Sequence, residues 1–175
     1  MGNEMKWHYR FLDMAALVAS WSKDPSTKCG AVIVRPDKTV ASVGFNGFPK
    51  GCSDEDWLYE NRELKYSRVV HAEQNALLLA GESVQGYTMY TYPKGYGPSC
   101  DRCSAHVIQA GITRIVHYGV DEDDFASRWK EACERGLDMY KEAGVEVIRL
   151  EPLKTEAVTQ VLPFPEEVRE HRVAA

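Results

Sequence analysis

The chain reads as a layered α/β domain in which helices cover a largely parallel five-stranded sheet. Its opening segment is apolar at helical spacing. After two opening strands the order runs helix, strand, helix, strand, helix, strand, an alternation that packs helices onto a sheet. The 175 residues, 44% hydrophobic, are enough for one packed core.

Trp7, Phe11, Met14, Ala15, Val18 and Trp21 recur at helical spacing, so residues 4–22 read as an amphipathic helix. Pro25, within Ser22-Lys23-Asp24-Pro25-Ser26-Thr27-Lys28, breaks it. Cys29 to Arg35 is a buried strand, Pro36-Asp37-Lys38 a turn, and Thr39 to Phe45 a second strand, together a hairpin. Residues 46–67 carry glycine, proline and charge and read as a long loop with at most a short helix. Ala72 to Ala80 is a helix stopped by Gly81. Tyr87 to Tyr92 is the third strand, Cys100 to Ala110 a helix closed by Gly111, and Thr113 to Tyr118 the fourth strand. Phe125 to Ala143 is a helix ended by Gly144, and Val145 to Leu150 the fifth strand. The domain spans 1–150; residues 151–175, with Pro152, Pro163 and Pro165, form a tail that packs on the domain or a neighbouring subunit.

Lysine plus arginine number 21 against 26 acidic residues, a net charge of -5. That balance excludes a broad grip on nucleic acid and leaves room for a small anionic ligand held by local groups. No apolar run of about 18 residues is present, so no membrane span is expected. Met1 to Lys6 lacks the apolar core of a signal peptide. Five unevenly spaced cysteines do not form a disulfide framework, and a cytoplasmic location is expected.

Two short motifs carry the chemistry. His71-Ala72-Glu73 opens one predicted helix, and Pro98-Ser99-Cys100-Asp101-Arg102-Cys103 opens another. Cys100 and Cys103, three apart, share a helix face. At a helix N-terminus the dipole and free N–H groups favour thiolate, the metal-binding form. With His71 as a third ligand, zinc would keep one tetrahedral position open for water, as in a catalytic site. Glu73 would then shuttle protons and not ligate. Taken alone, Cys100 and Cys103 also fit a redox pair, or half of a structural zinc site completed by Cys29, Cys52, Cys133, His106 or His117. The order and helix-start placement of the two motifs together favour the catalytic reading.

The two motifs match the H-x-E…P-C-x-x-C signature of zinc deaminases. Beyond them, the chain resembles the deoxycytidylate deaminase branch of the cytidine deaminase superfamily over roughly residues 7–118. Ser22 to Val34 is similar to that branch's opening loop and strand. Gly44-Phe45-Asn46-Gly47 is similar to its G-[YF]-N-G segment, His71-Ala72-Glu73-Gln74-Asn75-Ala76 to its H-A-E-x-N-A helix, and Ile108-Gln109-Ala110-Gly111-Ile112 to the turn after its second metal helix. The resemblance implies a three-layer α/β/α, cytidine-deaminase-like fold around a mixed sheet, and a homo-oligomer, usually a hexamer. It implies hydrolysis of dCMP to dUMP and ammonia, which supplies thymidylate synthesis. It also implies allosteric control, dCTP with Mg2+ activating and dTTP inhibiting, through Gly44, Phe45, Asn46 and Gly47. His71, Cys100 and Cys103 match its zinc ligands and Glu73 its proton shuttle. Asn46 matches an asparagine that holds the sugar, and its amide can donate to and accept from a 3′-hydroxyl. Ser26, Thr27 and Lys28 are candidates for the 5′-phosphate, and Ala72 joins the substrate-binding set.

The chain departs from that pattern in two places. Its proline stands one residue early, at Pro98, after a longer loop, Tyr92 to Gly97, that reads as a rim or an altered lid over the base. Some regulated members carry a Tyr-Arg pair after the fourth strand, where this chain has Tyr118-Gly119-Val120 and then Asp121, Glu122, Asp123 and Asp124, acids suited to a solvated helix start. Cys52 reads as a free thiol in a region where some members bind a second zinc, and Cys29 and Cys133 as packing residues. Competing readings are a zinc deaminase of another cytosine nucleoside, nucleotide or modified base; a tRNA- or DNA-editing deaminase, disfavoured by the acidic balance; and a nucleotide-sensing module with a structural metal.

Overall fold

The computed structural model describes residues 2–95, 97–119 and 124–152, without the side chains at 94–95 and 124–128. The predicted tail beyond Pro152, the acidic run 121–123 and the Asp124 side chain lie outside the described residues.

The elements in chain order are α1 (Asn3–Ala19), β1 (Gly30–Val34), β2 (Val40–Phe45), α2 (Asp56–Glu60), α3 (Arg62–Arg68), α4 (Ala72–Leu79), β3 (Thr88–Gly95), α5 (Asp101–Gln109), β4 (Arg114–Gly119), α6 (Asp124–Glu142) and β5 (Glu146–Leu150). The sheet runs β2-β1-β3-β4-β5. β1 is antiparallel to both β2 and β3, while β3, β4 and β5 are parallel, so the sheet is mixed.

Both faces of β1 are buried, because successive side chains of a strand point to opposite sides. Val32 and Val34 pack with Tyr90, Val116 and the apolar stripe of α1, Phe11, Leu12, Ala15 and Val18. Ala31 and Ile33 pack the other way with Met89, Ile115, Ala72 and Ala76 of α4, Val107 of α5 and Tyr140 of α6. The result is three layers, α1 on one face and α4, α5 and α6 on the other. Each fully buried Leu or Ile here contributes on the order of 1.5–3 kcal/mol.

The segment 46–67, read as a loop with at most a short helix, contains two. Asn61 caps α3, its side chain accepting from the Leu64 N–H at 3.1 Å. Leu58 and Tyr59 of α2 are buried, and Tyr59 stacks on Phe48 with ring centroids 4.2 Å apart.

Strand register sets where a site can form. Gly30 pairs with Phe45 on one side and with Tyr92 on the other. The start of β1 and the ends of β2 and β3 therefore meet at one edge of the sheet. α4 and α5 begin at that same end, so their free N–H groups face it.

Candidate metal centre and substrate cavity

His71 is the N-cap of α4 and Cys100 the N-cap of α5, with Cys103 in the first turn of α5. Two contacts fix the start of α4. Val70 exchanges backbone hydrogen bonds with Gly47 at 2.9 and 3.2 Å, and the Asn75 amide donates to the Phe45 carbonyl at 2.7 Å.

The early proline has a structural consequence at α5. Ser99, interposed before Cys100, is buried, and its hydroxyl bonds Ser104 Oγ at 2.9 Å and Tyr140 Oη at 2.8 Å. Ser104 also donates to the Cys100 carbonyl at 3.0 Å. Arg135 of α6 holds Asp101 at 2.7 Å. The metal-side end of α5 is thus bolted to α6.

His71 Nδ1 lies 3.6 Å from Cys100 Sγ and 3.3 Å from Cys103 Sγ. All three donor atoms fall within 4.8 Å of one another. A tetrahedral zinc with ordinary Zn–N and Zn–S bonds separates such atoms by ~3.5 Å, so the donor set fits the ion. Among the described residues no fourth His, Cys, Asp or Glu joins the group. Cys52 is exposed, His106 bonds Gln74, and His117 is buried in the sheet, where burial lowers its imidazole to about 4.

The two thiols are shifted in opposite directions. A hydrogen bond from Cys103, reinforced by His71, lowers the Cys100 thiol to about 4, against the cost of burial. Cys103, donating to that thiolate and buried, is shifted upward. The Glu73 carboxyl is raised by burial, with His71 opposing, and it contacts Cys103. Glu73 stands beside the donors without being one of them.

A cavity opens in front of these groups. Ser26, Thr27, Asn46, His71, Glu73 and Cys100 line it; Lys28 and Ala72 do not. Lys28 is exposed because alternation along the extended chain turns Thr27 and Cys29 inward and Lys28 outward. Ala72 is buried against β2, where a Cβ at Gly44 would strike the Ala72 carbonyl and the Ala76 nitrogen. Gly44 is thereby explained by the close approach of α4, and Phe45 by an edge-on contact with Trp21 at 6.1 Å. Asn46 accepts from the Cys29 N–H at 2.7 Å and donates to the Thr27 carbonyl at 2.9 Å. One N–H and one lone pair of its amide remain for a ligand.

Cys29 and Cys133, expected only to pack, also line the cavity. Tyr92 and Pro93, expected in a loop but placed by the structure in β3, form part of its wall with Gly97 and Pro98; Tyr96 lies outside the described residues. Sequence reasoning missed Asp24, Lys65 and Tyr66 on one wall and Trp129 on another. Trp129 meets the His71 ring edge-on at 6.2 Å. The readable signal for Lys65 was the Asn61 cap ahead of Arg62-Glu63-Leu64-Lys65.

An α/β/α domain with three side chains that could hold a metal ion at two adjacent helix N-termini and a buried carboxylate alongside has the arrangement of the zinc-dependent hydrolase class. Residues 5–119 match the family described as the cytidine and deoxycytidylate deaminase zinc-binding region, and the chain belongs to that family. An uncharacterized deaminase from the luxG 3′ region of Aliivibrio fischeri is 46% identical, over 81% of this chain and 92% of that protein. A probable deoxycytidylate deaminase of Drosophila melanogaster is 34% identical, over 93% of this chain and 81% of its own. The dCMP deaminase of cyanophage S-TIM5, solved with dCMP and dUMP, superposes with a TM-score of 0.61 at 27% identity, over 86% of this chain and 99% of that one.

Proposed function

We propose that the chain hydrolyses dCMP to dUMP and ammonia. The observation that carries this reading is the His71, Cys100 and Cys103 donor set beside buried Glu73, with His71, Cys100 and Glu73 lining one cavity. The solved relative that binds dCMP and dUMP supports the substrate class. His71, Cys100 and Cys103 would hold zinc, which would supply a Lewis acid that makes water nucleophilic at neutral pH. Glu73 takes a proton from the water that adds to C4 of cytosine and passes it to the adjacent ring nitrogen. It then carries a proton to the amino group, the C4–N bond breaks, and ammonia leaves. Asn46 and Thr27 orient the sugar, and Trp129 and Tyr92 flank the base.

The same proposal includes a homohexamer that supplies dUMP for thymidylate synthesis in the cytoplasm, and control by dCTP with Mg2+ and by dTTP. No described helix is long and apolar enough to cross a membrane. Effectors would engage the surface at Phe45 and Gly47, since Gly44 is covered by α4. The test is ammonia release from dCMP, deoxycytidine, dCTP and a single-stranded oligonucleotide, with and without dCTP or dTTP, on protein of measured zinc content. Turnover of dCMP above the others is expected; turnover of the oligonucleotide alone would replace this reading with nucleic-acid editing.

A further inference from the structure

We propose that Lys65 is the residue by which the cavity tells a nucleoside monophosphate from a nucleoside, its ammonium binding the 5′-phosphate. The inference rests on the cytosine-deamination reading and adds the group that selects the phosphate.

Among the described residues that line the cavity, Lys65 is the only lysine or arginine. It reaches there from α3, and its side chain is only 8% exposed. A lysine carried to such burial needs partners: two hydrogen-bond acceptors are present, and the Tyr66 ring lies 5.6 Å from Nζ. Nζ donates to Asp24 Oδ1 at 3.1 Å and to Ser26 Oγ at 2.5 Å. The ammonium has three donors, so one remains.

The partners are themselves held. Asp24 Oδ1 also accepts from the Ser26 N–H at 2.8 Å, the Ser26 hydroxyl at 2.9 Å and the Thr27 N–H at 3.2 Å. Four donors on one carboxylate oxygen spread its charge and fix the direction of Nζ. The cation is thus pre-positioned, and binding an anion costs little reordering of a long side chain. Asp24, Ser26 and Lys65 line the same cavity as His71, Glu73 and Cys100, with Cys29 also in its wall. A ligand whose base reaches Glu73 therefore has Lys65 within the same cavity for its other end.

Among the described residues, the other candidate cations are placed elsewhere. Lys28, the lysine that the sequence suggested, is exposed and does not line the cavity. After β4 the chain has Tyr118-Gly119-Val120, with no arginine at those positions. Lys65 enters the cavity from α3, within the segment that follows β2.

The test compares kcat/KM for dCMP and for deoxycytidine on the full, zinc-loaded chain. The wild type is expected to prefer dCMP. Lys65→Met keeps the aliphatic stem and removes the charge, and should cut the dCMP-to-deoxycytidine ratio about 10- to 100-fold, the worth of a hydrogen bond to a charged group, chiefly through KM for dCMP. Lys65→Arg should restore most of the ratio. A lysine that only braces the Asp24 turn would depress both substrates together and leave the ratio intact, which would overturn the assignment. Should Lys65→Met fail to fold around the unpaired Asp24, the double variant Asp24→Asn/Lys65→Met removes both buried charges and carries the same ratio test. A wild type that prefers dCMP with a ratio indifferent to Lys65 sinks this assignment alone. A wild type that deaminates neither compound sinks the deamination reading, and this assignment with it.

Discussion

Cys103 Sγ of α5 stands 3.3 Å from His71 Nδ1 of α4, two side chains 32 positions apart in the chain. Neither helix alone can assemble a metal site. The contact exists because α4 and α5 begin at the same edge of one sheet, and because α6 pins the start of α5 through Tyr140 and Arg135. Replacing Cys103 or Cys100 with Ala should lower zinc from about one ion per chain to background, since a catalytic site has three protein ligands and no spare. Elemental analysis after gel filtration reads this directly. Ammonia release should fall with the metal.

Glu73→Gln separates ligation from proton transfer. Glu73 is buried beside the donors and is not among them. The variant should hold zinc at the wild-type level and unfold at a similar temperature. Its ammonia release should drop by about 10²- to 10⁴-fold, the usual worth of a placed acid–base group. A variant that deaminates normally would remove Glu73 from the mechanism.

Tyr140→Phe tests the bolt on α5. The Ser99 hydroxyl loses one partner but keeps Ser104 at 2.9 Å. A buried group that loses a hydrogen bond costs about 1–3 kcal/mol. Thermal unfolding should therefore begin a few degrees lower, and zinc should dissociate faster in chelator.

Asp24 makes a pH prediction. Burial alone would raise its carboxyl, but hydrogen bonds from Ser26, Lys65 and Thr27 outweigh that and hold it below the ordinary value of 3.8. The folded state thus prefers ionised Asp24. The stabilisation is complete above the unfolded carboxyl's value and is lost as pH falls through the lower folded one. Asp24→Asn, which leaves Lys65 buried without its counter-ion, should cost on the order of 3 kcal/mol at pH 7. The gap between wild type and variant in denaturant melts should close as pH falls below about 4.

Gly44→Ala distinguishes packing from effector binding. A Cβ there meets backbone of α4 at Ala72 and Ala76, which cannot rotate away. The variant should lose about 1–3 kcal/mol of stability, as overpacked positions do. That loss should appear equally with and without nucleotide effectors.

Much of this was legible in the sequence because its signals are local. The strands announced themselves by β-branched runs such as Val32-Ile33-Val34, and the helices by apolar spacing and by the glycines at 81, 111 and 144. The metal donors were legible because His71 and the Cys100 and Cys103 pair each sit at a helix start, where a short motif carries geometry. The cavity wall was less legible. Lys65 and Trp129 reach it only through tertiary packing, and no spacing relates either to His71. Glycine, proline and charge give the segment 46–67 the look of a long loop with a short helix, and its one local sign of α3 is the cap at Asn61. Lys28 stands beside Ser26 and Thr27 in sequence, but that proximity says nothing about which way its side chain points.

Zinc-edge X-ray absorption on the purified chain probes the donor set atom by atom. Two sulfurs at about 2.3 Å and two lighter atoms at about 2.0–2.1 Å are expected, with one sulfur lost in Cys103→Ala if that variant retains any metal. A shell of three or four sulfurs, or no zinc at all in active protein, would contradict an open centre built from His71, Cys100 and Cys103.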